Sequence, residues 1–362
     1  MEIKFDFNDI LIEPTILSNI SSRTQCNPFH ENGYLPLFTA PMDTVVSEKN
    51  LEIFQKNNII PIRPRTSQYK KDGIWNAISL QEFKEIFIEN KYFLNNNETQ
   101  YFCIDIANGH MSQLIGIIKK AKEKYNDQLV LMIGNIANPK TFIELALAGA
   151  EFIRLGIGGG SGCSTSVHTG IGYPLASLIY DTRQLINQTI QSKEIRGQEY
   201  INITRAKIVA DGGMKNYSDI IKALSLGVDF CMLGGILNKA LESAGHTFAA
   251  NKKFDGYTIP GDQVDQYNDD VKMAFKNGAV FYKKFRGMST KEVQLHLGNE
   301  LRSSEGVTRM TQVEYTLEGW VDNFKDYLRS AMSYTGKNKL EEFIGKVNFN
   351  LISQNSFNRF NK

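Results

Sequence analysis

From about residue 35 onward, short apolar runs ending in small or polar residues alternate with segments whose apolar residues recur at helical spacing. That rhythm is the mark of parallel strands joined by crossover helices. The runs LPLFTA (35–40), IIPI (59–62), YFCID (101–105), LVLMIG (129–134), FIRLG (152–156), KIVAD (207–211) and DFCMLG (229–234) predict strands. Helical periodicity follows them near 48–57, 80–90, 112–125, 140–148, 174–190, 217–225 and 236–243. Seven units are visible, and an eighth strand is expected from FNDILIE near the N-terminus or from later sequence. Eight would close a (β/α)8 TIM barrel, a single α/β domain over residues 1–362.

A doubly wound open sheet shares this local pattern. A barrel, however, gathers its site at the C-terminal ends of the strands, so strand after strand should end in residues able to bind something. Met42-Asp43, Asp105, Asn135, Gly156 to Cys163, Asp211-Gly212-Gly213 and Gly234-Gly235 all stand at such ends. Two stretches interrupt the rhythm. Residues 186–206 are polar and read as an exposed excursion. Residues 245–286 are rich in Lys, Asp, Gly and Asn, with YTIP and AVFYKKF as strands, and predict a mobile flap or hairpin beside the mouth. Near the C-terminus, WVDNFKDYLRSAMSYTG is amphipathic and stops at Gly336.

Composition narrows the function classes. Of 362 residues 42% are hydrophobic and 22% charged, which excludes disorder and collagen-like repeats. Lys+Arg 41 against Asp+Glu 39 gives a formal charge of +2, so nothing points to nucleic acid, while small anionic ligands fit. The start MEIKFDFNDILIEP has no continuous apolar segment, and no run approaches a membrane span. Cys26, Cys103, Cys163 and Cys231 form no CxxC or zinc-type spacing, which suits a reducing cytoplasm.

The densest chemistry is GIGGGSGCSTSVHTGIGYP, residues 156–174, a glycine-rich loop directly after a strand. It lets backbone groups approach a ligand closely, and it is neither a GxGxxG fingerprint nor a GxxxxGK[ST] phosphate loop. Cys163 lies in it among hydroxyls, whereas Cys103 and Cys231 sit in apolar runs and read as core packing, and Cys26 as a loop thiol. Two readings stand for Cys163, a nucleophile or a plain loop thiol. VADGG (209–213) and MLGG (232–235) each close a strand with a turn that opens a helix. Backbone amides there hold anions, and two consecutive strands so built favour a phosphorylated sugar ligand. In RSSEG (302–306), Arg302 and Glu305 have no evident structural task, and a Glu305 buried by loop closure would gain a raised pKa suited to proton transfer.

FNDILIEP, APMDTVVSE, DIANGH, GNIANPKTFIELALAGAEFIRLGIGGGSGCST, TGIGYP, VADGG, DFCMLGG, RGMS, SEG and LRSAMSYTG together resemble the family of GMP reductase and IMP dehydrogenase over nearly the whole chain. The resemblance implies a (β/α)8 barrel, usually a homotetramer, in which a cysteine attacks carbon 2 of a purine nucleotide and forms a covalent thioimidate. Cys163 matches that nucleophile, Ser161 a phosphate ligand, and Asp211, Gly212, Gly213, Gly234 and Gly235 the ribose and phosphate contacts. Gly287, Met288, Ser289, Arg302, Ser303, Ser304 and Gly306 match further nucleotide contacts. The carbonyls of Gly158, Gly160 and Cys163 match a loop holding a monovalent cation, usually K+. Ser22, Arg23, Asp105, Ile106, Ala107, Met288 and Arg302 match contacts to NADPH, and Thr165 with Glu305 a proton-handling pair.

Within that family, dehydrogenases activate water with an Arg-Tyr pair on a mobile flap. Only 16 residues separate Met288 from Glu305, none forming that pair. Together with Tyr173 in TGIGYP, DIANGH and the lack of an inserted CBS regulatory domain, this favours the reductase: GMP to IMP and ammonia with NADPH. IMP dehydrogenase, and a nucleotide-binding barrel without turnover, are the alternatives. The chain departs from reductases at RPR (63–65), where an HKH-like cofactor segment is usual, at Ser166 in place of Arg and at Leu301 in place of Tyr. It departs from dehydrogenases at Phe285, where they use a phosphate-binding Tyr.

Overall fold

A computed structural model describes residues 3–89, 99–192, 194–254, 257–298 and 306–360, with the side chains of 251–254 and 257–260 excepted. Fourteen strands occur among the described residues. Eight of them, β2 (Leu37–Thr39), β3 (Ile62–Arg63), β4 (Trp75–Ile78), β5 (Gln100–Asp105), β6 (Leu129–Ile136), β7 (Phe152–Leu155), β8 (Lys207–Asp211) and β9 (Phe230–Leu233), form one parallel sheet. It runs β2-β9-β8-β7-β6-β5-β4-β3. The edges meet just before β3, where Thr39 N–H donates to the Ile60 carbonyl and Ile60 N–H to the Leu37 carbonyl, each at 3.0 Å. The sheet is therefore a (β/α)8 barrel rather than a doubly wound sheet.

Period-two alternation sorts the strand residues into two cores. On β5, Phe102 and Ile104 pack against the helices, while Cys103 between them faces the barrel interior with Phe38, Trp75, Met132, Val209 and Met232. Phe38, Trp75 and Phe152 fill that interior with edge-on aromatic contacts at 5.1–5.8 Å. The seven expected strands are present. The eighth is β4, and FNDILIE instead makes a 3-10 turn and β1 (Ile10–Ile12), which pairs antiparallel with β14 (Phe349–Leu351) outside the barrel. The reason is burial: β4 is buried on both faces, a setting with no place for FNDILIE's acids, half-buried Asp9 and exposed Glu13.

Two other expectations need correction. The excursion at 186–206 is exposed over most of its length, as expected, but it is largely helical, because helix Leu175–Gln191 runs on and helix Gly197–Arg205 follows, anchored by buried Ile203. The helix expected over 236–243 shortens to Gly235–Asn238. The flap segment does contain the expected hairpin, β10 (Thr247–Phe254) with β11 (Tyr257–Val264), then a helix Asp269–Lys276 and β12 (Phe281–Arg286). With β13 (Thr308–Gln312) these form a four-stranded antiparallel sheet, β11-β10-β12-β13, over a small core of Leu241, Phe281 and Val313. Helix Leu317–Tyr334 matches the amphipathic prediction and ends just before Gly336.

Candidate active site

The C-terminal ends of the barrel strands and the segment after β12 enclose one cleft of about 980 Å³. That is the upper end of the range for a pocket holding one drug-sized ligand, so there is room for a nucleotide and part of a second molecule. The loop after β7 enters it with Gly158, Gly160, Ser161, Cys163 and Thr165. Asp211, Gly212 and Gly213 after β8, Gly234 and Gly235 after β9, and Gly287, Met288 and Ser289 after β12 line it too. Asp105, Ile106 and Ala107 line its far side.

Cys163 is partly exposed, with Sγ 3.2 Å from Thr165 Oγ1 and its N–H donating to the Gly160 carbonyl at 2.9 Å. The other three thiols are buried, and burial pushes all of them up, Cys103 to about 11. Cys103 and Cys231 are core residues and Cys26 lies in a loop, as expected, with Cys26 buried as well. Of the four cysteines only Cys163 lines the cleft.

The loops pack backbone to backbone. Gly212 has φ +83°, and a Cβ there would lie 2.8 Å from the backbone of Gly160, so the β8 turn and the Cys163 loop touch without intervening side chains. On the flap side, Val307 N–H donates to the Gly162 carbonyl at 3.3 Å and Gly287 N–H to the Val307 carbonyl at 3.0 Å. Cys163 pairs with Gly306 through an antiparallel bridge, which places Gly306 at the nucleophile loop. A Cβ on Gly287 would strike the Gly162 carbonyl.

Beneath these loops lies a polar cluster. Arg154 faces inward on β7, 4% exposed, and its Nη1 donates to Cys103 Sγ at 3.0 Å and Asp105 Oδ1 at 2.9 Å. Nη2 donates to the same Asp105 oxygen at 2.9 Å and stands 3.3 Å from Asp211 Oδ2. Asn135 Nδ2 donates to Asp211 Oδ2 at 2.9 Å and to the Gly156 carbonyl at 2.7 Å. Burial opposes the charge of Arg154, but Cys103, Asp105 and Asp211 outweigh it and its pKa is raised. Burial also raises Asp211, with Arg154 and Asn135 drawing it partly back. Sequence reasoning passed over Arg154. An arginine inside an otherwise apolar barrel strand, between strands ending in Asp105 and Asp211, was the available signal.

Two expected contacts are not brought here within one chain. Arg23 pairs with Asp326 at 3.1 Å on helix Leu317–Tyr334, and Ser22 caps the turn before it. Neither lines the cleft. The physical reason is that both side chains are committed to that helix and turn. Arg302, Ser303, Ser304 and Glu305 lie outside the described residues.

A (β/α)8 barrel whose strand ends hold an open thiol among glycine turns and cleft-lining carboxylates is an enzyme of the barrel class with its site at the mouth. A family model described as IMP dehydrogenase / GMP reductase domain matches residues 76–360, and the chain belongs to that family. Proteins named GMP reductase resemble it end to end. The one from Buchnera aphidicola subsp. Acyrthosiphon pisum (strain Tuc7) is 27% identical over 99% of this chain and 98% of its own length. That from Shewanella halifaxensis is 26% identical over 100% and 98%, and that from Onchocerca volvulus 28% identical over 98% and 92%. No described helix is long and apolar enough to cross a membrane.

Proposed function

We propose that this protein is a GMP reductase, converting GMP to IMP and ammonia with NADPH. The observation that carries the reading is Cys163, the only thiol open to the cleft, held beside Thr165 at the junction of the β7 loop and the flap. Its thiolate adds to carbon 2 of the purine, and the exocyclic amine leaves as ammonia, giving a thioimidate on sulfur. NADPH, when bound, would supply a hydride to that carbon; Cys163 would then depart from carbon 2 as the thiolate, leaving IMP. Thr165 handles a proton beside the sulfur, with Glu305 assigned as its partner through the family resemblance. Asp211 receives the ribose hydroxyls, and Ser161, whose Oγ would lie 2.5 Å from a Cβ on Gly235, contributes with the glycine turns to the phosphate site.

The residues fit a phosphate-bearing cofactor, because the buried Nε of Arg65 at the cleft wall has no hydrogen-bond partner. Asp105, Ile106, Ala107 and Met288 face the same space and would hold its nicotinamide half. They also fit K+. The carbonyls of Gly158, Gly160 and Cys163, assigned through the family resemblance, are neutral oxygen donors suited to such an ion. Gly158 O already accepts from Ser166 Oγ at 3.2 Å and Gly160 O from Cys163 N–H, so each keeps one lone pair for an ion that would order the loop. The reading includes a cytoplasmic homotetramer, which light scattering would test.

The deciding experiment incubates purified protein with GMP or IMP and each nicotinamide cofactor, following absorbance and ammonia. GMP-dependent loss of NADPH with stoichiometric ammonia, abolished in Cys163→Ala, is the expected result. IMP-dependent formation of NADH would assign the dehydrogenase reaction instead, and nucleotide binding without redox turnover would overturn both.

A further inference from the structure

We infer that Arg154 is a positioning residue that couples the two ligand subsites of the cleft, so that occupancy of either one tightens the other. The inference rests on the proposed assignment of Asp211 to the nucleotide and Asp105 to the cofactor.

Its basis is how the two carboxylates divide their oxygens. Asp105 accepts both Nη groups of Arg154 on Oδ1, and Asp211 accepts Arg154 and Asn135 on Oδ2. Asp105 Oδ2 and Asp211 Oδ1 have no partner among the described residues, and both side chains line the cleft. Each carboxylate is thus anchored on one oxygen and open on the other, which is the arrangement needed to accept a sugar hydroxyl. One nitrogen, Nη2, reaches both anchored oxygens. A hydroxyl bound at Asp211 fixes that carboxylate against Asn135 and Arg154, and the guanidinium plane with it. Asp105 is then held in one orientation before the second ligand arrives, and that ligand meets a smaller ordering cost. Linkage makes the effect reciprocal. The planar fork of arginine is what allows one side chain to bridge two acceptors, whereas a lysine ammonium is a single point of charge.

Calorimetric titration of IMP and of NADPH, each alone and each with the other saturating, tests this on a pair that does not turn over. The wild-type Kd for IMP is expected to fall by about 5-fold or more in saturating NADPH, and that for NADPH by the same factor. In Arg154→Lys, which keeps the positive charge, this factor should shrink to within about 2-fold of unity. Asp105→Asn provides a second arm that leaves Arg154 in place: at NADPH concentrations that still saturate the variant, the improvement of IMP binding by NADPH should disappear. General loosening of the fold would weaken each Kd yet leave their ratio intact, so the ratio distinguishes positioning from mere structure. Wild-type coupling retained in Arg154→Lys, or a wild-type factor of one with both ligands bound, would overturn the clamp alone. Wild-type protein that binds neither ligand would remove the functional reading, and the clamp with it.

Discussion

On the barrel side of the cleft, four consecutive strand ends supply Asp105, Asn135, Arg154 and Asp211 to a single cross-braced network. On the flap side, Gly287, Met288 and Ser289 follow β12, a strand tied to the barrel by few groups. Lys283 Nζ donates to the Ser243 carbonyl at 2.6 Å, Arg286 pairs with Asp43 at 2.5 Å, and the apolar support is Leu241, Phe281 and Val313. The difference separates two tasks. Charges braced by several strands at once give a floor in which only side-chain orientation is left for a ligand to set, while a sheet attached through a handful of polar contacts can adjust as a body over a ligand. Cys163 lies on the seam between them.

Removing the seam group should have the largest effect. Cys163→Ala is expected to lower kcat by on the order of 10³-fold or more while nucleotide affinity stays within several-fold, read by steady-state kinetics and calorimetry. Next comes the floor. Arg154→Met leaves two carboxylates in the cleft without their counter-charge and should cost about 3–5 kcal/mol of stability, measured by denaturant unfolding. If the loss were under about 1 kcal/mol, the floor would be no more cross-braced than the flap. Gly212→Ala forces a side chain onto a positive φ against the Gly160 backbone, and should cost about 1–3 kcal/mol together with reduced turnover, since the Cys163 loop must shift.

The flap gives the smallest effect. Burial pushes Lys283 down to about 7, with Glu242 pulling the other way. Between that value and the ordinary lysine range near 10 the unfolded chain binds the extra proton, so this group's contribution makes stability rise with pH across the window. Lys283→Met should flatten that rise in thermal melts between pH 7 and about 10. Its effect at pH 7 should stay under about 1 kcal/mol, because Gln266 Nε2 still donates to the Ser243 carbonyl at 3.0 Å.

Most of the barrel was legible because seven strands are apolar runs that end in recognisable turns. β4 was not, since WNAI is four residues long and its buried Asn76 interrupts the apolar signal. Asn76 is tolerated there because its Nδ2 donates to the carbonyls of Lys70 and Ile74, a pairing no local pattern announces. The candidate site was legible wherever its chemistry sits in a loop or at a strand end, as at Cys163 and Asp211. Arg154 escaped notice because its meaning comes from β5 and β8, 49 and 57 residues away along the chain. The helix at 197–205 escaped for the opposite reason: its polar surface resembles a loop, and only Ile203 fastens it down.

The crossing of Gly162 and Gly287 bears on how such barrels can be recombined. A methyl on Gly287 strikes the Gly162 carbonyl, and one on Gly162 would lie 3.2 Å from both the Gly287 Cα and the Phe285 ring. Neither side can drift alone. In chimaeras, the thiol-bearing loop and the stretch downstream of β12 should therefore be exchanged as one cassette, and a junction that splits them should yield a folded scaffold with a misaligned sulfur.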